Sequence, residues 1–153
     1  MTSFNNDPVF GKQQRTAIAK VSTATAVANT DLDITPTNFV KIPLNGASNG
    51  APVGGCVITK LVAHLVEPAI TGAAVLKLYL SKDNGVSMYC IKDIIHASVT
   101  LSASVSSPDD DFGYTESAPL RLEDADQIFV QARGASATTD AFHVHAQYTE
   151  LQQ

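Results

Sequence analysis

A chain of 153 residues, 44% of them hydrophobic and 16% charged, has the size of one domain with a single core, and neither disorder nor a coiled coil is suggested. A net charge of −5, with no Lys/Arg run anywhere, excludes the basic patch that phosphate contacts in nucleic-acid binding require. No apolar segment approaches the ~20 residues needed to cross a bilayer as a helix, so no membrane partner is expected.

The chain begins "MTSFNNDPVFGKQQR". No apolar run follows a basic head, so this is not expected to be a secretory signal. It has no period, and Asp7-Pro8 disfavours helix by restricting the residue before proline. Residues 1–14 therefore read as an extended N-terminal arm, with residues 15–153 forming one β-sandwich domain. Phe4, Val9 and Phe10 are its apolar anchors, spaced along a polar stretch.

From there the dominant signal is a period of two with turn residues between the runs. In "NFVKIPL", Val40, Ile42 and Leu44 share a face. "CVITKLVAHLV" is apolar on both sides, with Val57, Thr59, Leu61, Ala63 and Leu65 against Ile58, Val62 and Val66. Such a strand belongs at the centre of a sheet or against a neighbouring subunit, and the second option favours a homotrimer. "AAVLKLYL" aligns Ala74, Leu76, Leu78 and Leu80, with Lys77 and Ser81 opposite. "KDNG", Lys82 to Gly85, predicts a type I′ turn, since Asn-Gly supplies its positive φ angles. "SMYCIKDII" sets Tyr89, Ile91 and Ile95 against Met88, Cys90 and Ile94.

"EPAITG" and "ARGASATTD" read as connectors, and "SSPDDDFG" as a solvated loop. "RLEDADQIF" has room for one helical turn. "DQIFVQA" alternates, and "AFHVHAQY" places Phe142, Val144, Ala146 and Tyr148 inward. About eight strands with short connections predict an all-β fold: an antiparallel β-sandwich, jelly-roll-like. Cys56 and Cys90 lack CxxC spacing and are expected to be buried reduced thiols.

The glycine-dense stretch "NGASNGAPVGG", Asn45 to Gly55, raises the question of phosphate binding. A phosphate loop needs Gly-Lys before Ser or Thr and a helix behind it, but Cys56-Val57-Ile58-Thr59 is β-forming. The stretch reads as a flexible strand connector, with Gly46 and Gly50 present for backbone freedom.

The order "DPVF…R…VSTA…ANTD", "VKIPLNGASNG", "ITKLVAHLVEPAITGAAVLKLYLSKDNG" and "APLRLEDADQIFVQARGASATTDAFHVHAQY" resembles a family of small tailed-bacteriophage structural proteins. The likeness runs from about residue 7 to 149 through short degenerate motifs. It departs at Gly54-Gly55 and at the longer Asp109–Asp111 connection. It implies a place in the virion, assembled in the host cytoplasm, more than it implies a task.

The sharpest enzyme-like motif is "HVHAQYTE". His143 and His145 share a face, and Glu150 follows, which is similar to the first metal motif of cupins. The pattern needs Gly at position 137, which is Ala, and a second motif for which no chain remains. His143 and His145 are therefore expected on a solvent or interface face, or gathered at a threefold axis, without metal. Asp109–Asp111 suggest calcium, but consecutive side chains cannot all address one ion. His64 and His96 read as satisfied core or edge histidines. No GxSxG elbow and no Cys–His spacing favours nucleophilic catalysis, so no enzyme and no cofactor are expected.

The expected function is a structural virion protein: a capsid decoration (cement) protein binding the outside of the head, with the major capsid protein or another virion protein as partner. The alternative is a tail-fibre, baseplate or neck component, including a host-glycan binding module. Trp is absent, and Tyr79, Tyr89 and Tyr114 are the aromatics available for sugar stacking.

Overall fold

The computed structural model describes residues 13–22, 39–66, 69–70, 73–100, 102, 104–134 and 141–151. The strands are β1 (Gln14–Ser22), β2 (Val40–Lys41), β3 (Cys56–Leu65), β4 (Ala69–Ile70), β5 (Ala74–Ser81) and β6 (Tyr89–His96). They continue with β7 (Val99–Thr100), β8 (Asp109–Asp111), β9 (Leu120–Leu122), β10 (Gln127–Gly134) and β11 (Ala141–Glu150). Among the described residues the helical element is a 3₁₀ turn at Ala47–Asn49.

The pairing is that of one long antiparallel hairpin rolled into two sheets. The first strand pairs with the last (β1 with β11) and β2 pairs with β10; β3 pairs with β8 and β9, and β5 with β6. These pairs fall alternately in sheet A, ordered β1-β11-β3-β8 with β9 also on β3, and in sheet B, ordered β2-β10-β5-β6. That is a jelly roll. β8 and β9 lie along the two halves of β3, so together they fill one edge position. The expected antiparallel sandwich is the observed fold.

The core lies between the sheets. β11 contributes Phe142, Val144, Ala146 and Tyr148, as its alternation requires, and β1 contributes Ala17, Ala19 and Val21. Each fully buried Leu or Phe stabilises by roughly 1.5–3 kcal/mol. Residues 127–133 of β10 are all buried because the strand is central in sheet B. On its outward side Gln131 Oε1 accepts from Tyr79 O–H at 3.3 Å and from Arg133 Nε–H at 2.8 Å.

Two bulges decide which residues face in. On β3, Lys60 stands opposite Gln147 and Ile58 opposite Tyr148, so Thr59 is an extra residue. Cys56 and Ile58 point inward before it, and Leu61, Ala63 and Leu65 after it. The doubly apolar run is thus largely one inward face with a parity change, and β3 takes the central position in sheet A. On β6, Lys92 stands opposite Leu78 and Cys90 opposite Tyr79, leaving Ile91 as the extra residue. The face expected for Tyr89, Ile91 and Ile95 is therefore broken: Ile91 and Ile94 pack against the core, while Tyr89 and Ile95 are exposed.

Several local expectations are corrected. "SSPDDDFG" is not merely a loop, since Asp109–Asp111 form β8. "RLEDADQIF" holds no helical turn; β9 leads into a β-turn in which Asp126 N–H donates to Glu123 O at 3.2 Å and Ala125 has φ 63°. Ser81, on the face opposite Leu80, is buried, and its Oγ accepts Gly85 N–H at 2.8 Å and donates to Asp83 Oδ1 at 2.9 Å. The type I′ turn is present, with Asn84 and Gly85 at φ 59° and 87°. Cys56 is buried, but Cys90 is exposed on the β6 edge, and both are free thiols. "EPAITG" contains β4, which pairs with β7; most of "ARGASATTD" lies outside the described residues.

Candidate functional site

The glycine-rich stretch is a clipped connector rather than a flexible one. Ala51 N–H donates to Asp126 O at 2.7 Å, and Ala125 N–H returns to Ala51 O at 3.3 Å. Gly46 does not use a glycine-only backbone angle, having φ −91°. A Cβ there would lie 1.9 Å from Ala51 O, so close backbone approach, not freedom, requires it. Gly55 combines both reasons, with φ 85° and Leu122 O 2.3 Å from the Cβ position. The loop offers no helix N-terminus to a phosphate.

The outward face of sheet A holds the histidines. Register lines up Lys20, His143, His64 and Asp109 across β1, β11, β3 and β8; the next row is Ile18, His145, Val62 and Asp111. His143 and His145 share this face as their spacing requires, with ring centroids 6.5 Å apart. His64 joins them because it stands opposite His143, a neighbour that sequence spacing cannot reveal. His64 Nδ1–H donates to Asp109 Oδ1 at 3.0 Å in an exposed pair. A shallow groove of about 280 Å³ runs between His64 and His145, with Lys60, Val62, Asp109 and Gln147 along it.

Glu150, the remaining member of the cupin-like motif, has the opposite strand parity to both histidines. Its carboxylate is held by Arg15 Nε at 2.5 Å and by Asn45 Nδ2 at 2.9 Å. Among the described residues no group of three or more His, Cys, Asp or Glu side chains is placed to hold a metal ion.

The next aspartate behaves differently. Strand alternation turns Asp110 inward, where its carboxylate accepts from Nδ1–H of the fully buried His96. His96 stands edge-on to Phe142, with centroids 5.0 Å apart, and its Nε2 has no hydrogen-bond partner among the described residues. The pair joins β6 of sheet B to β8 of sheet A. His64 and His96 each pair through Nδ1 with an aspartate, so the expectation of satisfied histidines holds for that nitrogen, while Nε2 of His96 has no partner among the described residues. Asp109–Asp111 point alternately and do not converge on a cation; Asp111 Oδ1 instead accepts Gly113 N–H at 2.7 Å.

Cys56 is poorly suited to nucleophilic work, since burial, aided by the charges of Glu150 and Asp126, pushes its thiol up to about 12. Of the sugar-stacking candidates, Tyr79 is 3% exposed and Tyr114 packs against the core, while Tyr89 is 61% exposed. Phe4, Val9 and Phe10 lie outside the described residues. Among the described residues no helix is long and apolar enough to cross a membrane.

No family model and no curated protein matches the chain. Among solved structures it is similar to the Eiger TNF of S. frugiperda, at 12% identity over 92% of this chain and 94% of that one, with a TM-score of 0.42. It is also similar to the virus-like particle of the extra small virus of the giant freshwater prawn Macrobrachium rosenbergii. There identity is 12% over 95% of this chain and 83% of that one, with a TM-score of 0.29. Likenesses this distant carry no argument about this chain; the jelly roll stands on the chain's own strand order.

Proposed function

We propose that this protein is a structural component of a tailed-bacteriophage virion, a capsid decoration protein that binds the outside of the head and stabilises it. The observation that carries the reading is the arrangement of the rolled hairpin. Its first described strand, β1, is an edge of sheet A and begins at Gln14, at the rim of the sandwich. A rigid sandwich can then seat on one capsid subunit while the arm lies over another. The resemblance of its motifs to tailed-phage structural proteins supports the same reading, and shallow grooves suit surface attachment.

The expected partners are the major capsid protein and further copies of this chain, most simply in a trimer at threefold points of the lattice. Quantitative mass spectrometry of purified particles tests the assignment. Hundreds of copies per particle are expected of a decoration protein. A handful to a few dozen would move it to the tail, neck or fibre, and absence from particles would overturn both. The exposed Tyr89 favours the second reading, a glycan-binding fibre or baseplate module, because an accessible ring is what sugar stacking uses. Binding of purified protein to host surface glycans, lost in Tyr89→Ala, would select that reading.

A further inference from the structure

Among the described residues, sheet B ends in an open edge. β6 pairs with β5 on one side, and no described strand covers its other side. Such an edge presents unpaired backbone N–H and C=O groups and is ordinarily blunted by charge, proline or cover. Here the edge carries exposed apolar groups instead: Val86 in the adjoining turn is 85% exposed, Tyr89 61% and Ile95 73%. Lys92 and Asp93 supply charge only in its middle.

We propose that this edge accepts residues 4–10 of a second copy of the chain as an added strand. Segment "FNNDPVF" repeats the character of the edge, with apolar residues at both ends and a polar middle that sets Asp7 near Lys92. Pro8 fits an outermost strand, where its missing N–H faces solvent, and it would stop a further strand from adding.

Reach decides that the arm comes from another copy. Three residues separate Phe10 from Gln14, the first of β1, and each of the four steps spans at most ~3.6 Å, so Phe10 lies within roughly 14 Å of β1. β1 lies beside β2 at one rim of the sandwich, and β6 lies beside β8 at the other. Three strand spacings of ~4.8 Å and a sheet separation of ~10 Å put β6 about 17 Å from β1 across the sandwich. Residues 4–10 must then also run along β6. A chain cannot satisfy its own edge this way, whereas a neighbour's arm meets no such limit. Arm-to-edge donation is head-to-tail, so it propagates until a ring closes, which accommodates the trimer.

The test uses full-length purified chains without particles, so its outcome is separate from that of the virion assignment. Light scattering after size exclusion should show wild type as a closed oligomer. An arm variant, Phe4→Asp with Phe10→Asp, and an edge variant, Ile95→Lys, should each run at the monomer mass of 16.1 kDa with wild-type circular dichroism. Mixed one to one, they should form a species of twice that mass, because one chain retains a sound edge and the other a sound arm. If Ile95→Lys fails to fold, Tyr89→Lys serves as the edge variant. A monomeric wild type, oligomers that survive both variants, or a mixture that stays monomeric would each overturn the proposal.

Discussion

Asp109 and Asp110 are adjacent in sequence, and each accepts a hydrogen bond from a histidine, yet they sit in different physical worlds. The His64–Asp109 pair lies on the outside of sheet A, with side chains 43% and 66% exposed; in the other pair the values are 0% for His96 and 12% for Asp110. Strand alternation alone separates them. Water competes for the outer pair and screens it, so its contribution is small. The inner pair has no water to fall back on, so each partner depends on the other. The comparison teaches that a contact's chemistry does not set its importance; the environment into which a two-residue period turns it does.

The largest expected effect follows from breaking the inner pair. Asp110→Ala leaves the buried imidazole of His96 without its hydrogen-bond acceptor and should destabilise the protein by about 3 kcal/mol in urea denaturation. A loss below about 1 kcal/mol would mean that the pair is not buried in solution. Replacing both partners, with His96→Leu and Asp110→Leu, should recover most of that loss, because no polar group is then left unsatisfied. If the double variant is no more stable than Asp110→Ala, shape rather than polarity governs the site.

Asp109→Ala should cost less than about 1 kcal/mol and should become still milder at high salt. The smallest effect concerns a third carboxylate, Asp83 in the β5–β6 turn. Hydrogen bonds from the Ser87 side chain and backbone, and also from Ser81, hold its carboxyl below the ordinary 3.8. A carboxyl depressed in the folded state adds stability above its unfolded value, and that stability is lost as pH falls through the folded value. The stability difference between wild type and Asp83→Ala should therefore be full near neutral pH and shrink below about pH 4. A difference that is flat from pH 7 to pH 2 would show that the turn's hydrogen bonds act independently of charge.

Much of this molecule was legible as a pattern. The alternation in "AFHVHAQY" put Phe142, Val144, Ala146 and Tyr148 inside and His143 and His145 outside, and Asn84-Gly85 marked its turn. Where the reading of a strand's inward face failed, one added residue was responsible. Thr59 on β3 and Ile91 on β6 reverse the inward face partway along their strands. Periodicity cannot place such a bulge, because the extra residue is defined only against the partner strand. The same holds for Gly46, whose requirement is the oxygen of Ala51 rather than its own backbone angle.

The sequence by itself determined that the chain builds strands, roughly where they run and which side of most of them is apolar, since these follow from a local period and from turn chemistry. Only the tertiary structure decided which strands are neighbours. With that came His64 beside His143, Asp110 beside His96, and an edge at β6 that no described strand covers. Each joins positions far apart in the chain or depends on what is missing alongside a strand, and rolling the hairpin into two sheets is what brings such positions together or leaves them bare.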